Sequence, residues 1–308
     1  MTCDLDLPRF FADFGEVTTV AIPAPRVADF VALTKPRIVG FIVLTAVAGL
    51  WVAPGAPPLA VLLHLVIGTG LVAAGTCALN QVVERDVDGL MHRTVRRPLP
   101  AGRIPVATAT AFAWLLALTG IAYLYATINV TTAGLAALTL VSYVYLYTPL
   151  KRHTSLATLV GALPGALPIL GGWTATGAPI TIGALALFWT LFLWQLPHFL
   201  ALAWLYREDY ARAGLRMLSV EHADHRVTFR QAALYAAALL PVSLVPAVVG
   251  ITGTFYFVGA VALGVWLLVA SMRAMLTADV ARAARRLFLT SVIYLPLLLL
   301  LMVLNARP

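Results

Sequence analysis

The chain has 308 residues, 61% of them hydrophobic and 11% charged, with a formal net charge of +8. An ordinary soluble domain carries roughly 25% charged residues, so this composition and a mean hydropathy of +0.91 exclude a soluble globular protein and point to membrane-crossing helices. The two cysteines, Cys3 and Cys77, support neither a disulfide framework nor a zinc site.

Residues 1–27 are mixed and acidic and read as an N-terminal tail. They lack a basic segment followed by an apolar one, so a cleaved signal peptide is not expected. Residues 28–308 read as one all-α domain of nine transmembrane helices. Uncharged stretches near the 20 residues needed to cross a bilayer fall at about 33–53, 59–82, 104–127, 130–149, 155–176, 179–205, 230–250, 254–273 and 286–304. Prolines inside several of them are tolerated where neighbouring helices satisfy the freed backbone, and they also mark kinks that open cavities.

The connections alternate in charge. The loops after spans 1, 3, 5 and 7 hold no charged residue, and all 13 acidic residues lie on the other side. All but one of the 21 Lys and Arg residues share that side; the exception is Arg307, after span 9. The positive-inside rule then puts the N-terminus in the cytoplasm and the C-terminus outside. This distribution also accounts for the net charge through topology, so no nucleic-acid partner is expected.

Three polar clusters sit on the charged side. The first follows span 2, in the stretch NQVVERDVDGLMHRTVRRPLPAG from Asn80 to Gly102. Asn80, Glu84 and Asp88 are spaced i, i+4, i+8, so on a helix they drift by only about 40° per step and share a face. Two carboxylates and an amide oxygen are hard ligands suited to Mg²⁺. A charged helix end laced with i,i+4 pairs is the plainer reading. Against it stands the mutual repulsion of two carboxylates four residues apart, which a cation would relieve. Arg93, Arg96, Arg97 and Arg103 follow closely. An acidic metal face beside arginines suits a diphosphate, whose oxygens arginine grips bidentately.

The second cluster ends span 4, where Tyr143 and Tyr147 share a face above Lys151 and Arg152. It reads as a diphosphate clamp beneath an aromatic wall, or as an interfacial aromatic belt with positive-inside charge. The third ends span 6. Gln195 and His198 lie deep in an apolar run, where polar groups usually face a cavity, and Tyr206, Arg207, Glu208, Asp209 and Tyr210 follow.

At these residues the chain resembles the UbiA superfamily of intramembrane prenyltransferases. Asn80, Glu84 and Asp88 match its first acidic motif, Asn-x-x-x-acid-x-x-x-Asp, and RTVRRPLPAG (Arg93 to Gly102) resembles the arginine-rich stretch that follows it. YTPLKRHT and WQLPHFLALAWLYREDYARAGLRML resemble the heme-prenylating branch in particular. The resemblance covers about residues 28–304. It departs from the wider superfamily at the second acidic motif, where two aspartates four apart are replaced by Tyr206 and Tyr210, with Glu208 and Asp209 between them.

The resemblance implies a nine-helix bundle around a central cavity and an enzyme of the cell membrane, with its active site at the cytoplasmic face. The implied reaction moves a farnesyl group from farnesyl diphosphate to a vinyl group of heme B, with addition of water, giving heme O for a downstream heme A synthase. Heme B is then substrate and Mg²⁺ the cofactor. The implied roles are metal binding for Asn80, Glu84 and Asp88, which act in catalysis with Tyr147 and Lys151. Diphosphate binding falls to Arg93, Arg97, Lys151, Arg152 and Arg207, and heme contact to His198, Trp194 and Phe199, with His153 or His64 as alternative heme contacts. Two other functions stay open: a prenyltransferase with an aromatic or quinone-precursor acceptor, and a transporter. The uncharged outer loops offer a transporter no outer vestibule.

Overall fold

The computed structural model describes residues 25–306 apart from residue 56. Most of the expected tail, with Cys3, and Arg307 lie outside the described residues.

Helix α1 (Val27–Thr34) and helix α2 (Pro36–Val52) form the first span, bent by 44° between them. The span expected over 33–53 therefore begins earlier, at Val27, and is broken at Lys35. Pro36 has no N–H to donate, and its ring drives the preceding residue out of the helical region. Lys35 takes up the turn in the left-handed conformation, φ 51° and ψ 61°.

Helix α3 (Leu59–Asp88) has 30 residues, about 45 Å at 1.5 Å each. The hydrocarbon core is only about 30 Å thick, so the last turns of α3 reach the interface, where its charges begin. Helix α4 (Val106–Thr127) returns and helix α5 (Val130–Val141) crosses again. A π-helical segment, Ser142–Tyr147, then leads into the single turn α6 (Thr148–Leu150). Thr148 donates its Oγ1 hydrogen to the Tyr143 carbonyl at 2.7 Å, and Pro149 supplies no donor to the turn before it.

Helices α7 (Ala157–Thr174) and α8 (Ile182–Leu205) follow, then the short α9 (Arg207–Arg212) and α10 (Leu218–Glu221). Helices α11 (His225–Val248), α12 (Thr254–Leu276) and α13 (Val280–Leu304) complete the bundle. Among the described residues, eight helices are long and apolar enough to cross a membrane, with α5, the π segment and α6 counted as one (Val130–Leu150), or nine spans with the bent first pair. No strand occurs among the described residues, so the all-α expectation holds. Helices α11 and α13 begin about five residues earlier than their apolar stretches, because Asp224 and Asp279 cap their first turns through the backbone N–H groups of Arg226 and Arg282.

Without a water-driven hydrophobic force, membrane helices associate through close packing of small residues. Helices α2 and α7 cross this way. Gly49 lies against the Ile169 carbonyl and Gly172 against the Ala46 carbonyl, leaving no room for a Cβ at either. Its neighbour Gly171 has open space where a Cβ would go. Gly172→Ala is therefore expected to lower the melting temperature of the detergent-purified protein, at about 1–3 kcal/mol of overpacking, while Gly171→Ala melts like the parent. Equal melting of the two variants would refute the close crossing.

Candidate active site

A cavity of about 180 Å³ opens at the end of α3 that carries the charges. Asn80, Glu84 and Asp88 all face it, as the i, i+4, i+8 spacing requires. One oxygen of each is held by a cation from a different part of the chain. Lys35 Nζ donates to Asn80 Oδ1 at 3.0 Å. Lys151 Nζ donates to Glu84 Oε1 at 2.7 Å, and Arg97 Nη1 to Asp88 Oδ2 at 2.6 Å. Asn80 Nδ2 donates in turn to Thr148 Oγ1 at 3.2 Å, tying α3 to the turn after the π segment.

Burial by itself would raise the pKa of Glu84, but the Lys151 charge and hydrogen bond outweigh it and hold the carboxyl below its ordinary range. Burial likewise opposes the charge on Lys151, but Tyr147, the Glu84 carboxylate and Tyr143 together outweigh it and hold the ammonium above its ordinary range. The other oxygen of Asp88, Oδ1, is buried and has no hydrogen-bond partner. Leaving such an acceptor unsatisfied costs about 1–3 kcal/mol or more for a charged group, and a bound cation would remove that cost.

This donor set fits Mg²⁺. The ion usually takes one or two carboxylates from protein and completes its shell with water and substrate phosphates. No cluster of three or more His, Cys, Asp or Glu side chains able to enclose a metal occurs among the described residues.

Aromatic rings line the same cavity. Tyr143 and Tyr147, with ring centroids 5.2 Å apart, project from the π segment, and Lys151 Nζ stands 4.4 Å from the centre of the Tyr147 ring. Arg93 lies over Tyr206 at 4.7 Å. Arg93, Tyr210 and Phe199 also reach the cavity wall.

Other expected site residues lie elsewhere. Asp209 accepts the backbone N–H groups of His92 at 3.2 Å and Arg93 at 3.3 Å, and the Arg212 guanidinium at 3.0 Å. Burial pushes its pKa up, but these donors dominate and hold it below the usual carboxylate range. It fastens α9 to the loop that carries Arg93, and the cavity is closed at this point by Tyr210 instead. Glu208 is 83% exposed, with Arg207 its nearest cation at 3.8 Å. Arg207 covers the Trp204 ring at 4.9 Å, and Arg152 is exposed; neither borders the cavity.

Of the three proposed heme contacts, only Phe199 borders the cavity. His198 and Trp194 turn toward α13, with His198 Nδ1 2.9 Å from Ser291 Oγ and Trp194 Nε1 donating to the Ser291 carbonyl at 2.8 Å. Four and five residues from Trp194 along one helix, His198 stacks on it while Phe199 projects to another face. His64 pairs with Tyr123 at 2.8 Å, and His153 is exposed outside the cavity wall.

Sequence reasoning missed Lys35 and Gln81. Gln81 Nε2 donates to the Leu33 carbonyl at 2.7 Å and reaches the Ala32 carbonyl at 3.5 Å. It thereby satisfies the end of α1 where the chain breaks. Arg103 grips Asp29 at 2.7 Å on the same short helix. Lys35 is thus held in a strained conformation that aims its ammonium at Asn80. The available signal was a lysine directly before a proline at the start of the first span, since charge within a membrane span usually faces a cavity.

The fold and cavity define a helical integral membrane protein with paired carboxylates ringed by cations at one end of its bundle. The chain belongs to the UbiA prenyltransferase family, whose model matches residues 42–293. It is 51% identical over 247 residues to the protoheme IX farnesyltransferase of Solibacter usitatus, covering 80% of this chain and 84% of that one. With the enzyme of the same name from Koribacter versatilis it shares 42% identity, across 93% of this chain and 97% of that one. Among solved structures it is similar to a digeranylgeranylglyceryl phosphate synthase, at a TM-score of 0.76 and 16% identity, covering 90% and 97% of the two chains. It is also similar to a UbiA homologue from Archaeoglobus fulgidus bound to GPP and Mg²⁺, at 0.63 and 16%, covering 89% and 99%.

The Glu84–Lys151 pair generates a stability prediction. Glu84→Gln strands a buried ammonium, and breaking such pairs costs about 3–5 kcal/mol. Glu84→Gln is expected to melt well below the parent, and adding Lys151→Met is expected to restore much of the loss. If the double variant melts lower than the single one, the pair is not the source of the effect.

Proposed function

We propose that the chain transfers the farnesyl group of farnesyl diphosphate to a vinyl carbon of protoheme IX, with addition of water, yielding heme O and diphosphate. The reading is carried by its likeness to two enzymes named protoheme IX farnesyltransferase over most of their length. A second feature supports it. An apolar cavity of about 90 Å³, lined by residues such as Ile42, Val72, Leu135 and Leu167, shares Ile38 and Tyr143 with the polar one. Together they suit a substrate with a diphosphate head and an isoprenoid tail.

Breaking the allylic C–O bond leaves negative charge on the diphosphate and a cation on the prenyl chain. Mg²⁺, held by Asn80, Glu84 and Asp88, would supply neutralising charge to the departing group. Lys35, Arg93, Arg97 and Lys151 donate hydrogen bonds to its oxygens, preorganised in a site of low dielectric where such donors are most effective. The rings of Tyr143 and Tyr147 offer π faces to the allylic cation, while the surrounding helices keep bulk water from quenching it. The terminal vinyl carbon forms the new C–C bond. The positive charge moves to the carbon beside the porphyrin ring, water adds there, and the released proton leaves with the diphosphate. Phe199, on the cavity wall, is assigned to the heme edge. We assign the protein to the cell membrane, with the N-terminus and this cavity on the cytoplasmic side, a reading supported by the distribution of Lys and Arg.

Purified protein given farnesyl diphosphate, heme B and Mg²⁺ is expected to yield a heme heavier by one farnesyl group and one hydroxyl, read by mass spectrometry. Prenylation of a phenolic acid with heme left unchanged would overturn the acceptor. Asp88→Asn is expected to insert into the membrane like the parent but to lose product formation by at least about 100-fold, the scale of removing one transition-state electrostatic contact. Chelation of divalent ions is expected to abolish turnover of the parent, and full turnover in chelator would remove the metal assignment.

A further inference from the structure

A second cleft lies far from this chemistry, between α12 and α13, and shares no lining residue with the catalytic cavity. Its volume is about 700 Å³. Trp266, Val269, Ala270 and Arg273 line it from α12, at the i, i+3, i+4, i+7 spacing of one helix face, and Arg286, Leu289, Thr290 and Ile293 face them from α13. The cleft is polarised along its length. Arg273, Arg282 and Arg286 cluster at the end where α12 turns into α13. Trp266 and Ile293 stand seven residues deeper than Arg273 and Arg286, about 10 Å toward the membrane centre at 1.5 Å per residue.

Asp279 is the one acidic side chain in the cleft, and it is already engaged. Its Oδ1 caps α13, and its Oδ2 pairs with Arg282 at 3.2 Å. Arg273 and Arg286 have no acidic partner among the described residues, and both are exposed. The deep walls are exposed too, with Trp266 41% and Ile293 47% accessible, on a face that the bundle turns to lipid.

We propose that this cleft is a binding site for one anionic diacyl phospholipid of the cytoplasmic leaflet, its headgroup phosphate on Arg273 and Arg286 and an acyl chain along Trp266 and Ile293. Two unpaired guanidinium forks match the oxygens of a phosphate. Basic pockets between membrane helices on the cytoplasmic side are suited to such headgroups. A free inorganic anion has no use for the apolar depth, and a zwitterionic lipid brings a second cation against the arginines.

Native mass spectrometry of the full chain released from detergent tests this, with phosphatidylglycerol and phosphatidylcholine supplied in equal amounts. The parent is expected to retain one phosphatidylglycerol several-fold more often than phosphatidylcholine. Arg273→Gln/Arg286→Gln is expected to lose that preference, while Arg230→Gln, an exposed arginine elsewhere, keeps it. Ile293→Trp, which fills the apolar end and leaves both arginines, is expected to lower retention of phosphatidylglycerol. Equal retention of the two lipids by the parent, or an unchanged preference in the double variant, overturns the site. Hemin displacing the lipid from the parent but not bound by the double variant overturns the assignment to a lipid.

Discussion

Charge buried at the edge of a membrane has to be answered by charge, and that constraint organises this protein. Three acceptors on one face of α3 each meet a cation delivered by a different segment: Lys35 from the break in the first span, Lys151 from the turn after α6, and Arg97 from the loop beyond α3. Removing either member of such a pair leaves the other stranded where water cannot reach it well. The pairs therefore fix the relative positions of elements distant in sequence.

The irregular backbone in the bundle follows from the same demand. A continuous first helix would carry Lys35 past the cavity; the break before Pro36 turns its ammonium inward, and Gln81 and Arg103 hold α1 so that the break persists. The π segment does the corresponding work on the opposite wall, presenting Tyr143 and Tyr147 together and bringing Thr148 to Asn80. Local strain of this kind, of order 1–3 kcal/mol at a left-handed non-glycine residue, persists only where its surroundings over-determine it. Here hydrogen bonds from α3 and an ion pair from the loop after it supply that determination.

In the proposed reaction these cations have two duties. Without substrate, Lys151 and Arg97 neutralise the carboxylates and Lys35 holds the Asn80 amide, and with substrate all three are the donors that a diphosphate needs. A site assembled this way carries its counterions with it and requires no large influx of charge when the ligand arrives. The close α2–α7 crossing, where glycines admit neighbouring carbonyls, belongs to the same design, since α2 and α7 also line the apolar extension that suits the isoprenoid chain.

Much of the architecture was legible in the amino-acid sequence. Uncharged stretches, alternating loop charge and the i, i+4, i+8 stripe determined the span count, the charged side and the meeting of Asn80, Glu84 and Asp88, because hydropathy and helical periodicity are local properties. Tertiary structure alone decided which cations reach that stripe. Arg97 and Lys151 arrive while Arg152 and Arg207 do not, since one residue along a helix or turn is enough to point a side chain at another neighbour. It also decided that Asp209 fastens backbone, that His198 and Trp194 serve the α8–α13 contact, and that Lys35 belongs to the site. Each of these depends on where a chain break or a neighbouring helix lies in space, and no periodicity in the sequence records that.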